Sequence, residues 1–322
     1  MTSTVHSRSL GTRFVVWVTL TLVGVAVAGA PAAAAQASGS VETLAPVLAA
    51  EDARAWQPDA FRTALLSPDS VVRRTAAMAV GRIGDRRGVT LLLPLLVDRD
   101  STVRVAAIFA LGLLRDSTAV APLMDRLRTP PALDTPSGTE VITALARIGG
   151  RRAGEFFTSV LQNREPLQFA DRRALVARVA LESWRLGASA PIGEILPLMS
   201  DTALEVRSGA VYAAARLRVP LAGGRLLRAL RDDDSYIRSL AARALIRAYA
   251  DSSGLATESV ADQLAQAVED IDPGVRIHAI RALGSFRLAR YASRVAGHLS
   301  DAAPNVRVQA ATTLGELGGP DA

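Results

Sequence analysis

Residues 96–112 read Leu-Val-Asp-Arg-Asp-Ser-Thr-Val-Arg-Val-Ala-Ala-Ile-Phe-Ala-Leu-Gly. With Val103 as position zero, Ala107, Leu111 and Leu114 follow at steps of 4, 4 and 3, which puts all four on one helical face. Asp100 precedes that run where a helix N-cap is expected, because its carboxylate can accept from the first free backbone N–H groups. The stretch therefore predicts a short helix entered from an Asp-rich turn.

The same pattern recurs along the chain. Val-Arg, or Ile-Arg, stands at Val72, Val103, Val206, Ile237, Val275 and Val306, each followed by Arg. The interval from Val103 to Val206 holds room for two degenerate copies, placed by spacing at Ser137 and Arg172, both without the Asp. Positions 4, 7 or 8, and 11 stay small or apolar in the clear copies, as in Ala76, Val80 and Ile83 or Ala279, Leu283 and Phe286. Asp69, Asp100, Asp201, Asp234, Asp272 and Asp301 stand four or six residues before the Arg as expected N-caps. Gly84, Gly149 and Gly318 are expected to end helices. A second amphipathic stretch lies between successive copies, for example Val89–Val97, Val120–Leu127 and Val260–Val268. A repeat with a period near 34 and two helices per unit predicts an all-α solenoid of about eight helix pairs, residues 58–322, with residues 38–57 as an N-terminal capping helix.

The residues L-x-D-x-D-x-x-V-R-x-x-A-x-x-A-L-G, read in Leu96–Gly112 and again in Leu230–Leu245, resemble the HEAT repeat, in particular the short variety also seen in phycobilisome lyases. The resemblance covers roughly residues 58–318 and implies a right-handed superhelix with the second helices on the concave side. It does not carry lyase chemistry to a chain with an export signal. Some bacterial exported proteins of this kind join HEAT units to a cyclophilin-type prolyl isomerase domain. Nothing in residues 1–322 resembles that domain, so an N-terminal interaction half of a larger exported enzyme stands as the alternative reading.

Composition narrows the function. All 37 basic residues are Arg, against 31 acidic residues, and no Arg-rich run marks a nucleic-acid surface. Aromatics are only 4 %, and Cys is absent, which removes disulfides, thiol catalysis and thiolate metal sites. Residues 1–37 have the three parts of a secretory signal: Arg8 and Arg13 without acid, an apolar run from Phe14 to about Ala30, and small residues ending at Ala35 or Ala37. This predicts a secreted or periplasmic protein; an uncleaved membrane anchor is the other reading of the same run.

No phosphate-binding loop, dinucleotide fingerprint, nucleophile elbow or zinc-protease motif is present. His278 falls at position 3, expected to be tolerant surface, and His298 beside Leu299 near a helix end. The Asp and Arg of the repeat recur in every clear unit. Catalytic residues occur once, so recurrence assigns this pair to capping and inter-repeat bonds. No catalytic residue, metal or cofactor is expected.

Positions 2, 6 and 10 run along the second helix opposite its core stripe. They give Arg74, Met78, Arg82, Phe109 and Arg147, then Arg178, Tyr212, Arg216, Arg243, Arg247 and Arg281. Position 6 also includes Thr143 and position 10 Glu182. Aromatics and Arg are the residue types that dominate interface energies. The strip is thus the expected site for a protein or peptide partner, acidic if the Arg residues carry recognition. Two Pro- or Ser-containing loops, Thr129–Gly138 and Asp251–Ser259, read as surface insertions.

Overall fold

A computed structural model describes residues 30–317, with side chains from Gly39 onward. The leader expected at 1–37 lies outside the described residues apart from helical backbone from Ala30, and Gly318 lies outside them too. The chain divides into two compact units, Met1–Val41 and Glu42–Ala322. The described part of the first is helical backbone belonging to α1 (Ala30–Asp52).

The second unit is a solenoid of helix pairs. The first four pairs are α2 (Pro58–Leu65) with α3 (Ser70–Ile83), α4 (Val89–Leu92) with α5 (Ser101–Leu114), α6 (Val120–Arg128) with α7 (Thr135–Ile148), and α8 (Arg151–Leu161) with α9 (Arg172–Glu182). The remaining four are α10 (Ile192–Leu198) with α11 (Leu204–Leu217), α12 (Gly223–Ala229) with α13 (Ser235–Ala244), α15 (Thr257–Ala267) with α16 (Pro273–Gly284), and α17 (Ala292–Gly297) with α18 (Pro304–Leu317). An extra short helix, α14 (Arg247–Ser252), separates the sixth pair from the seventh. Each second helix packs on the next along the row. No strand occurs among the described residues, only an isolated bridge between Leu133 and Phe169.

The face that Val103 predicts is the buried one. Val72, Val103, Ile237, Val275 and Val306 are fully buried, as are the position-4 alanines Ala76, Ala107, Ala210, Ala241, Ala279 and Ala310. A small residue there lets adjacent second helices approach closely, and glycine takes this furthest. A Cβ on Gly81 would lie 2.7 Å from the Cα of Ala110, and one on Gly112 would lie 2.9 Å from the Cα of Ala144.

Helix ends follow the side chains that satisfy them. Asp69, Asp100, Asp234 and Asp272 cap their helices by accepting backbone N–H groups. Asp134 and Asp171 do the same for α7 and α9, so the two degenerate copies carry the cap that their sequence was expected to lack. Asp201 and Asp301 are not N-caps. Each sits further upstream in the turn and accepts the N–H of the alanine two residues on, Ala203 or Ala303. Gly84 and Gly149 end α3 and α7 with positive φ, while Arg115, Arg218 and Arg287 take the same left-handed position in later repeats.

The recurring Arg at position 1 ties each unit to the next. Arg73 reaches Asp98 of the following repeat with Nε at 2.8 Å and Nη2 at 2.8 Å, and its Nη1 donates to the carbonyls of Ser67 and Pro68. Arg207 pairs with Asp232, Arg238 with Asp270 and Arg276 with Asp301 in the same fork geometry. Arg104 pairs instead with Asp134, the cap of α7. In the forked pairs both partners are largely shielded from water, and the guanidiniums hold Asp98, Asp270 and Asp301 below the usual carboxylate range.

The ladder stops in the middle. Position 1 of the third unit is Gly138, where a Cβ would stand 2.1 Å from the Phe169 ring. The fourth unit does not start at Arg172. The residues buried on α9 and the 3-10 turn after it are Leu175, Val179, Ala180, Glu182, Ser183 and Leu186, which match positions 0, 4, 5, 7, 8 and 11 when zero is Leu175. Position 1 is then Val176, which has no guanidinium. Here the apolar core also divides. Leu175, Val179 and Leu186 belong to a cluster running from Val47, whereas Ala180 belongs to one running to Leu317.

Val47 and Ala50 of α1 are buried. Two other expectations change. The segment Thr129–Gly138 is not a free insertion: α7 starts at Thr135, Leu133 is buried, and the carbonyls of Thr129 and Pro131 accept from Nη1 of the buried Arg126. Asp251–Ser259 shrinks to Ser253–Ala256 between α14 and α15.

Candidate binding face

Positions 2, 6 and 10 of α3 and positions 2 and 6 of α5 line one groove of about 670 Å³, to which Asp134, Pro136 and Glu140 at the start of α7 also contribute. Its apolar floor includes Leu48 of α1, Met78 of α3, Val105 and Phe109 of α5 and Pro136 of α7. Arg74, Arg82, Glu51, Asp134 and Glu140 supply its charges. Most of these are already paired: Arg82 with Glu51 at 2.9 Å, Asp134 with Arg104, and Glu140 with Arg147 at 2.9 Å. Arg74 is exposed and has no carboxylate partner among the described residues. The predicted residues Arg74, Met78, Arg82 and Phe109 are therefore brought together, in a cleft rather than on a flat strip.

Arg147 joins the groove to the next part of the face. Its guanidinium lies 4.6 Å from the Phe109 ring centroid, where the ring quadrupole attracts a cation, and it is held there by Glu140. Burial raises the Glu140 carboxyl above the usual glutamate range, an effect that Arg147 offsets only in part.

The corrected register rearranges the fourth unit. Glu182, read as an exposed position 10, is buried and takes ion pairs from Arg178 at 3.5 Å and Arg185 at 2.6 Å. Thr143 is also buried, with its hydroxyl donating to the Thr139 carbonyl. Position 10 of the fourth unit is Arg185, which the spacing argument missed. Its signal was present: Leu175, Val179 and Leu186 have the 0, 4, 11 spacing of the clear copies. Beside it, Trp184 carries the guanidiniums of Arg185 and Arg216, each 4.5 Å from the ring centroid, and meets Tyr212 edge-on at 6.4 Å.

Tyr212, Arg216 and Arg243 line a separate small pocket together with Arg218. Arg281 stands apart, donating to Gln309 at 2.9 Å. Arg247 leaves the strip altogether. Helix α13 ends at Ala244, so Arg247 starts α14, where its side chain meets Asp251 at 3.7 Å and donates to the Phe286 carbonyl.

The histidines are not as expected. His278 is half-buried rather than tolerant surface, and its Nδ1 has no hydrogen-bond partner. Burial, then Arg281 and Arg243, hold its imidazole below the ordinary histidine value. His298 is buried, with Nδ1 3.3 Å from Asp301. Among the described residues, no group of three or more His, Asp and Glu is placed to hold a metal ion. No helix among them is long and apolar enough to cross a membrane.

No curated protein matches the chain in sequence. Among solved structures, a mutant of Kap121p aligns over 80 % of this chain and 33 % of its own, at 14 % identity and a TM-score of 0.52, a likeness of fold. The CpcE–CpcF complex of phycocyanin lyase from Nostoc sp. PCC7120 aligns over 82 % and 95 %, at 19 % identity and a TM-score of 0.44. An engineered protein aligns over 81 % and 79 %, at 19 % identity and a TM-score of 0.45. The family model for HEAT repeats matches residues 58–135 and 257–322 of this chain.

Proposed function

We propose that this chain is a non-catalytic protein-binding scaffold, exported from a bacterial cell with residues 1–37 as its signal peptide. It takes an extended segment of a protein or peptide partner along the concave face formed by the second helices. The observation that carries this reading is the groove over α1, α3, α5 and α7, with its apolar floor at Met78, Val105 and Phe109 and the unpaired Arg74 above it. An apolar side chain in that cleft gains burial, and a neighbouring carboxylate gains Arg74, which is the usual composition of an interface anchor. Export rests on the charge and apolar pattern of residues 1–37. The non-catalytic reading is supported by recurrence, since the Asp and Arg residues that resemble acid–base pairs are spent on helix caps and inter-repeat forks.

The test is a photo-crosslinking residue at Thr75, which lines the groove, compared with one at the exposed Thr90 of α4. A discrete adduct formed in the cell envelope from Thr75 alone, and lost in Phe109→Asp, is expected. The same adducts from both positions would remove the groove from recognition.

A further inference from the structure

The small pocket between α11 and α13 has a charge balance unlike the groove. It encloses about 150 Å³ and is lined by Tyr212, Arg216, Arg218 and Arg243, with Leu240 and two alanines completing the wall. None of the three guanidiniums has a carboxylate partner among the described residues. Neighbouring arginines on the same helices do: Arg207 of α11 is forked on Asp232, and Arg238 of α13 on Asp270. Arg216, Arg218 and Arg243 are exposed, so water screens part of their mutual repulsion, and an anion between them would offset the rest.

Helix ends offset part of this. Arg216 and Arg218 lie at the C-terminus of α11, and Arg243 lies in the last turn of α13. Each C-terminus presents roughly half a negative charge through its free carbonyls, so two of them supply about −1. Against three guanidiniums this leaves about +2. A single carboxylate would leave the pocket positive, whereas a dianion balances it. Planar guanidinium forks also match the three oxygens of a phosphate group, each donating two parallel bonds.

The arrangement is partly preformed. Arg216 is stacked on Trp184, and Tyr212 meets that ring edge-on. Arg218 sits in the left-handed conformation with φ 52°, at the position that Gly84 and Gly149 fill in the first and third units. An L-residue there carries strain that glycine avoids. The positive field extends to His278, whose imidazole is depressed in part by Arg243.

We propose that this pocket is an oxyanion site for a phosphate-type dianion, either free or carried on a phosphorylated side chain. It is independent of the groove reading, because Met78 and Phe109 lie in the first two units and the pocket in the fifth and sixth.

Titration calorimetry at fixed ionic strength tests it with three probes: inorganic phosphate, a Gly-phosphoserine-Gly peptide and a Gly-Glu-Gly peptide. Saturable binding of at least one phosphate probe is expected, at least tenfold tighter than the glutamate peptide. A tenfold advantage for the phosphopeptide over inorganic phosphate assigns the source to a side chain, and equal affinities assign it to the free ion. Arg218→Gly and Arg243→Gln should each weaken phosphate binding at least tenfold. Arg218→Gly should keep or raise the melting temperature, since it removes left-handed strain, so its loss of binding reads as recognition rather than unfolding. Binding of the glutamate peptide as tight as phosphate would overturn the proposal, and so would an Arg218→Gly variant that binds normally. A loss of phosphate binding leaves the Thr75 crosslink unchanged.

Discussion

Replacing Arg276 with alanine tests the inter-repeat ladder, and Arg307 provides the control within the same chain. Both donate Nη1 to two carbonyls of the preceding turn, Asp270 and Ile271 for Arg276, Asp301 and Ala302 for Arg307. Only Arg276 adds the forked pair, with Nε 2.9 Å and Nη2 2.8 Å from the Asp301 carboxylate. The Asp301 side chain is 8 % exposed and that of Arg276 15 %, so truncation strands a carboxylate largely out of water. Breaking a fully buried pair costs about 3–5 kcal/mol, and partial exposure of the arginine discounts this to about 2–3 kcal/mol. Asp301 also keeps the Ala303 N–H and a contact to His298, which soften the loss. Arg307→Ala removes only exposed carbonyl bonds, worth about 0.5–1.5 kcal/mol. Urea unfolding followed by circular dichroism should therefore show Arg276→Ala costing about 2–3 kcal/mol more than Arg307→Ala, because both variants lose the carbonyl bonds and only Arg276→Ala also loses the fork. Equal losses would refute the reasoning, because the fork would then contribute nothing beyond the carbonyl bonds. The same fork sets the acid limit. Asp98, Asp270 and Asp301 are held below the usual carboxylate value, so their contribution is present above about pH 4 and is lost as pH falls through their depressed values.

Gly81→Ala should destabilise by about 1–2 kcal/mol, since overpacking against the Ala110 Cα outweighs the ~1 kcal/mol gained in helix propensity; thermal melting measures it, and a stabilised variant would contradict the close approach. Leu111→Ala and Leu283→Ala each open a fully buried site and should cost about 2–5 kcal/mol in the same assay. Glu140 has a raised carboxyl pKa, so it protonates above the ordinary glutamate value as pH falls, releasing Arg147 from its ion pair while the ladder aspartates stay charged. Partner affinity in the groove should therefore change at a higher pH than the acid loss of stability, and Glu140→Gln should abolish that first step. Hydrogen exchange should report the lowest opening free energy across residues 162–190, where the ladder is missing and Gly187 interrupts the helical turns; uniform protection along the array would contradict this.

The fold was legible because its signals are redundant. At Val103 the apolar period, the Asp100 cap and the Arg104 pair all specify one helix in one register, and the structure keeps all three. Where two of the three are absent, spacing alone sets the register, and it is wrong by three residues at Arg172. Leu175, Val179 and Leu186 carry the correct register, but the buried Glu182 and Ser183 between them look like surface residues in sequence. A period likewise assigns a side chain to a face without saying what it pairs with. Arg74 and Arg82 share the face, yet one has no carboxylate partner among the described residues and the other is committed to Glu51 from α1, thirty-one residues earlier than Arg82. Arg247 failed for a backbone reason: α13 stops three residues before it.

The interruption of the ladder has a counterpart on the opposite face. In the first two and last four units, adjacent pairs are tied by Arg–Asp forks set back in the turns that enter the second helices. In the third and fourth units, Gly138 and Val176 remove those forks; Arg128 of the third unit instead holds Glu165 of the fourth at 2.9 Å, and further charged and aromatic contacts lie on the candidate binding face. Arg147 reaches from the third unit to Phe109 of the second, and Arg216 and Tyr212 of the fifth reach Trp184 of the fourth. These contacts are more exposed than the forks, and cation–π pairs at such sites contribute only about 0.5–1 kcal/mol each, against about 2–3 kcal/mol for a shielded fork. At the junction of the fourth and fifth units the position-1 fork is missing, and the stacking of Arg216 and Tyr212 on Trp184 lies on the candidate face. A ligand that engaged Arg216 would add its binding free energy at the junction that lacks a fork, and that junction should then show greater protection from hydrogen exchange in the bound state.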